Sequence, residues 1–219
     1  MKKIVSLALA MAVATVCSSA SAGVVTFEGF IPSISSNGDT LVNGNEVITT
    51  RGQGGFDGAI IDGTDPFRCD ITVCPAGSTY YAGLNDGGLS FGLSGNAFNL
   101  GGLDFAFILP VDGLIDFTVG QLIATGSDGS VVSKDFAMQV NGQYGFAHWN
   151  FDGLFAQTRF TEVSFSACLY TDVGTCVNPA GNQAQFAIDN IAYVPEPGSV
   201  PLIALSLLGM LAAYRRKSA

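Results

Sequence analysis

Histidine and tryptophan each occur once in this chain of 219 residues, as the neighbours His148 and Trp149. A single imidazole excludes a histidine-rich metal centre and leaves little for acid–base catalysis at neutral pH. Positive charge is equally scarce. Nine Lys and Arg stand against 18 Asp and Glu, and five of those nine lie within three residues of the start or five of the end. Residues 23–194 carry four basic and 17 acidic side chains, a net −13. Such a body repels nucleic acid and anionic lipid, which excludes both as partners. No stretch of it shows the apolar period of a three-turn amphipathic helix, which argues against a helical core.

What is present is glycine, phenylalanine, serine, threonine and asparagine, cut into short runs by turn pairs. Asn37-Gly38, Asn43-Gly44, Asp57-Gly58, Asp86-Gly87, Asp128-Gly129 and Asn141-Gly142 are examples. Gly takes positive φ without steric cost and Asn or Asp tolerates it, so these pairs reverse the chain between strands. Strands are predicted at 24–27, 103–108, 115–119, 121–125, 131–140, 161–168 and 185–193. In 161–168, Val163, Phe165 and Ala167 alternate with Glu162, Ser164 and Ser166, the mark of a half-buried strand. Residues 29–60 give weak strand signals and are expected to form long loops. The last strand breaks parity. Phe186 and Ile188 share one face, Ile191 and Tyr193 the other, which implies either a bulge near Asp189-Asn190 or burial of both faces. The fold class expected is an all-β, jelly-roll-like β-sandwich of one domain.

Both ends read as addresses. Lys2 and Lys3 precede thirteen apolar residues, 4–16, and Ala20-Ser21-Ala22 has the small-x-small form of a signal-peptidase site. Cleavage is expected between Ala22 and Gly23, giving a signal peptide of residues 1–22. A lipid anchor at Cys17 is disfavoured by Val16, where a small residue is expected. Without Cys17 four cysteines remain, in two local pairs, Cys69 with Cys74 and Cys168 with Cys176. Four cysteines allow three connectivities. The exported context favours the two short loops, and a zinc site is the weaker alternative, because neither pair has C-x-x-C spacing.

The other end runs Val194-Pro195-Glu196-Pro197-Gly198, then an uncharged segment, then Arg215, Arg216 and Lys217. The thirteen residues 202–214 would make a helix of about 20 Å. That is short against a hydrocarbon core of about 30 Å. Residues 199–201 extend it, and the terminal cations place its end in the cytoplasm and the body outside. This order of features resembles the PEP-CTERM sorting signal of Gram-negative bacteria. The resemblance covers residues 195–219 and implies that a membrane exosortase recognises Pro195, Glu196 and Pro197, with the hydrophobic segment (about 199–214) and Arg215 and Arg216 as a transient inner-membrane handle. It further implies delivery to the cell envelope, surface or matrix, in a setting of exopolysaccharide and biofilm. Two prolines hold the motif extended, the form in which processing enzymes bind a chain.

For the body, no catalytic residue is assigned, and His148 is read as a packed or loop residue. The opening Val24-Val25-Thr26-Phe27-Glu28 and the closing Phe186-Ala187-Ile188-Asp189-Asn190-Ile191 resemble the edge strands of jelly-roll carbohydrate-binding modules. That resemblance implies a structural Ca²⁺ shared by Glu28 and Asp189. Polysaccharide binding would require exposed aromatics to stack on sugar rings, and the candidates are Tyr80, Tyr81, Tyr144 and Trp149. The expected role is a non-catalytic surface or matrix component. The alternatives are an extracellular hydrolase such as a glycosidase, and a purely structural adhesion protein.

Overall fold

The computed structural model describes residues 21–65, 77–108, 120–136, 145–170, 175–177 and 184–196. Nearly all of them belong to one compact unit, Ala22–Pro195. The second unit, Met1–Ser21 with Glu196–Ala219, lies almost wholly outside the described residues. So do Ala20, Pro197, Arg215 and Arg216, the cysteines Cys69 and Cys74, Tyr144, and the strand expected at 115–119.

Two antiparallel sheets make the unit. Sheet A contains β1 (Gly23–Val25), β2 (Ser33–Ser35), β5 (Gly58–Asp62), β6 (Thr79–Gly83), β8 (Phe98–Phe107), β11 (Ala147–Asn150) and β14 (Phe186–Pro195), in the order β11-β8-β14-β6-β5-β2, with β1 also on β14. Sheet B contains β3 (Thr40–Asn43), β4 (Glu46–Arg51), β7 (Gly88–Leu93), β9 (Gly120–Gly126), β10 (Val131–Asp135), β12 (Glu162–Tyr170) and β13 (Cys176–Val177), in the order β10-β9-β12-β7-β4-β3, with β13 on β12. One five-residue helix, α1 (Gly153–Gln157), follows β11. The stretch expected to be loops, 29–60, instead contributes β2 to β5. Those strands are short and rich in Ser, Thr and Asn, and β2 and β3 sit at sheet edges with most of their residues exposed, so they carry little apolar alternation.

The main core lies between the sheets. Sheet A supplies Val25, Ile60, Tyr81, Leu103, Phe105, Phe107, Phe186, Ile188 and Ile191; sheet B supplies Ile48, Leu89, Phe91, Leu122, Val163, Phe165 and Leu169. The alternation expected in β12 is present: Val163, Phe165 and Ala167 are buried while Glu162, Ser164 and Ser166 are not. Burying one such Phe is worth about 2–3 kcal/mol. Sheet A is covered on its outer face as well, where Ala59, Ile61, Tyr80, Ala82, Ala106, Ile108 and Ala187 form a second apolar cluster.

That double burial and a bulge together resolve the broken parity of the last strand. The register of β14 on β8 shifts between Asp189 and Ala192, and Asn190 sits at φ +53°, a left-handed conformation that Asn tolerates. On its other flank β14 changes partner at this point. Residues 186–188 pair with β6 and residues 191–193 with β1. The first strand therefore lies beside the last.

Candidate ligand-binding site

Tyr80 and Tyr81 do not present rings to solvent; both are fully buried. The cause is the position of β6 inside a sheet covered on two faces. Tyr81 points between the sheets, where its hydroxyl donates to Gly88 O (3.0 Å) and lies 3.1 Å from the Thr50 hydroxyl, and burial pushes its pKa up to about 12. Tyr80 points outward into the second cluster, edge-on to Phe146 at 5.7 Å. Neither can stack on a ligand, so the expectation for these two residues is corrected.

Trp149 is different. On β11, an edge strand of sheet A, it is largely buried against Phe105, yet it also lines a cavity of about 250 Å³ with Val132, Ser133, Phe151, Asp152 and Phe155. The cavity lies where the edge strands of the two sheets, β11 and β10, come together. Its aromatic wall is the largely buried Trp149, Phe151 and Phe155, tilted against one another with Trp149–Phe151 at 4.5 Å and Phe151–Phe155 at 5.2 Å, and Phe160 backs Phe155 at 4.7 Å. The polar groups are the exposed Ser133 and Asp152. Asp152 stands at the N-cap of α1, and its carbonyl accepts from Ala156 N (3.3 Å). Asp152-Gly153 is one of the turn pairs of the sequence, and Gly153 sits at φ +56°, but no sequence signal pointed to Phe151 or to a cavity, because a loop that folds over a sheet edge has no periodicity.

On the opposite face of β11, His148 and Asn150 meet neighbours from β8 and β14. His148 Nδ1 lies 2.6 Å from Asp104 Oδ1, and Nε2 lies 3.0 Å from Asn150 Oδ1. Asp104 Oδ2 accepts from Asn190 Nδ2 at 2.7 Å. Hydrogen bonding to Asp104, then to Asn150, raises the His148 pKa against a small effect of burial. His148 is thus neither packed in the core nor in a loop: it stands on the edge strand β11 with its side chain half exposed, and both imidazole nitrogens are hydrogen-bonded.

Asp189 and Glu28 converge at the bulge. The Asp189 carboxylate is almost inaccessible and accepts from Ser78 Oγ (3.3 Å), Asn190 N (2.8 Å) and Phe27 N. Glu28 Oε1 accepts from Thr79 N at 3.1 Å, so Phe27 and Glu28 bridge the gap between β1 and β6. Burial raises the Asp189 pKa, and the negative charge of Glu28 adds to the rise. Among the described residues no group of three or more His, Cys, Asp or Glu side chains could hold a metal. The oxygens brought near one another here, those of the two carboxylates and the Ser78 hydroxyl, are of the hard kind that suits Ca²⁺ rather than zinc.

Gly88-Leu89-Ser90-Phe91-Gly92 has the Gly-x-Ser-x-Gly spacing of a nucleophile elbow. In the structure this stretch is not such an elbow. All five residues lie within β7 rather than at a strand-to-helix turn, and Ser90 is buried and accepts from Arg51 Nε at 3.0 Å. Cys168 and Cys176 form a disulfide between β12 and β13, with Cα atoms 5.6 Å apart. Gly23 opens β1, and Pro195 is the last residue of β14, with Glu196 directly after it. No helix among the described residues is long and apolar enough to cross a membrane.

No family model and no curated protein matches this chain. Solved structures of family 29 carbohydrate-binding modules are distantly similar. One is 12% identical at a TM-score of 0.32, covering 80% of this chain and 88% of its own. Another, a mutant complexed with mannohexaose, is 11% identical at a TM-score of 0.33, covering 81% and 92%. Likenesses this distant add nothing to what the two sheets establish.

Proposed function

We propose that this chain is an exported, non-catalytic surface or matrix protein whose jelly-roll-like body binds polysaccharide at the Trp149 cavity. The observation that carries this reading is the aromatic wall of Trp149, Phe151 and Phe155 beside the hydroxyl of Ser133 and the carboxylate of Asp152. An apolar ring face and a few polar groups are what a sugar needs: its C–H face packs on the aromatics and its hydroxyls donate to the carboxylate. A volume of about 250 Å³ sits at the small end of ligand pockets, which suits one sugar residue at a chain end or branch.

Export follows from residues 1–22, and sorting from Pro195, Glu196 and Pro197 with the basic end, through signal peptidase and then an exosortase. Glu28 and Asp189 share a structural Ca²⁺ in this proposal, which ties the first strand to the last. A glycan array combined with a hydrolysis screen tests the reading. Binding without turnover supports it. Turnover would make the protein a hydrolase, and neither binding nor turnover would make it a purely structural adhesion protein.

A further inference from the structure

Asp152 is the only charged residue that lines the Trp149 cavity. An Asp at an N-cap ordinarily gives its oxygens to the first-turn N–H groups. Asp152 makes no such cap hydrogen bond, and among the described residues no ion pair or side-chain hydrogen bond engages its exposed carboxylate. Those oxygens are left over for a ligand.

No Lys or Arg belongs to the cavity wall. Lys134 is the one such residue on β10 or β11. It pairs with Leu122 as Val132 pairs with Ala124, so it shares the Val132 face, about 7 Å further along the strand. His148 lies on the opposite face of β11 and is held by Asp104, and Arg51 is paired with Glu162 in sheet B. The wider field has the sign of Asp152: residues 23–194 carry a net −13. Such a field draws polycations to the surface and holds polyanions off.

We propose that the polysaccharide carries free amino groups, and that the cavity takes an amino-sugar residue with its ammonium against the Asp152 carboxylate. This rests on the polysaccharide reading above and adds the class of sugar. A hydrogen bond from an ammonium to a carboxylate is roughly twice as strong as one between neutral groups. The aromatic lining of Trp149, Phe151 and Phe155 suits a cation as well as a C–H face. An N-acetylated residue keeps the ring and gives up the charge. A uronate brings its own carboxylate against Asp152 and is repelled.

The test is titration calorimetry of the detergent-purified full-length chain with three hexasaccharides: chitosan, its fully N-acetylated form and galacturonate. Chitosan is expected to bind about tenfold tighter or more than the N-acetylated form, and galacturonate not at all. The advantage should shrink as salt is raised, because the contact lies at an open cavity mouth. Equal affinity for the first two, or binding of galacturonate, overturns the amino-sugar inference and leaves the polysaccharide reading standing. An empty glycan array sinks that reading and the inference with it. Asp152→Asn keeps the shape and one acceptor but removes the charge. The preference for chitosan over its N-acetylated form is expected to fall to about twofold or less in that variant, and a preference that survives overturns the proposal. Lys134→Met removes the neighbouring cation and is expected to tighten chitosan binding by about twofold, whereas weaker binding counts against the proposed pairing.

Discussion

Asp104 on β8 and Asp189 on β14 are direct cross-strand partners. Like charges in that position repel, so each must be answered separately. Asp104 faces the His148 imidazole and the Asn190 amide, while Asp189 takes hydroxyl and main-chain donors and lies near Glu28. Asn190 serves both, giving its side chain to Asp104 and its backbone N–H to Asp189.

The first prediction concerns His148. Its folded pKa is raised, so the stability it contributes is fully present below the ordinary histidine value of about 6.5 and is lost as pH rises through the folded value. Asp104→Asn is expected to bring the imidazole titration, followed by NMR, back toward that ordinary value. A titration unmoved by the substitution refutes the pairing. Because His148 is half exposed, the effect on Tm is expected to be small.

Asp189 behaves in the same direction for a different reason. Its pKa is raised chiefly by burial, so without a bound cation stability falls as pH climbs from the ordinary Asp value through the folded one. Ca²⁺ is expected to cancel that fall. Asp189→Asn is expected to raise Tm in chelator and to abolish the response to Ca²⁺. If neither chelation nor calcium back-titration moves the Tm of the native chain, the shared ion is absent.

Two variants separate packing from recognition at the cavity. Trp149→Ala removes a buried ring that packs on Phe105 and Phe151 and is expected to cost about 3–5 kcal/mol, read by urea unfolding. Asp152→Ala is expected to leave Tm within a few degrees, because its side chain makes no cap hydrogen bond. It should nevertheless weaken binding to whichever glycan the array identifies by about tenfold or more. Unchanged affinity would move the sugar site elsewhere.

The Cys168–Cys176 disulfide closes a loop of eight residues and is expected to contribute about 2.5 kcal/mol on loop-entropy grounds. The double Cys168→Ser, Cys176→Ser variant should show that loss in denaturant unfolding. A midpoint equal to that of the wild type would mean the native loop geometry offsets it.

Mass spectrometry of surface-extracted protein should give Gly23 as the first residue. Intact residues 1–22 would refute the export reading.

How much of this was legible in the sequence depended on burial symmetry. β9 and β12 were readable because one face of each is wet and the alternation is clean. The Asp189-Asn190 bulge was readable because a parity break has few physical causes. Tyr80 and Tyr81 misled for the converse reason: sheet A is covered on both faces, so adjacent aromatics both go inside, and a polar tip says nothing about which face is wet. The partnership of Asp104 with His148 joins residues 44 apart, and no local pattern encodes a register between strands.

β14, the last strand among the described residues, lies in the interior of its sheet. β8 pairs with β14 along most of its length, and β1, the first strand made, has β14 as its partner. A chain handed out N-terminus first can pair β2, β5 and β6, and β8 with β11, but cannot join them or place β1 until β14 has emerged. Contacts of such long sequence separation also form slowly. Premature collapse of the early strands of sheet A is thus discouraged by topology.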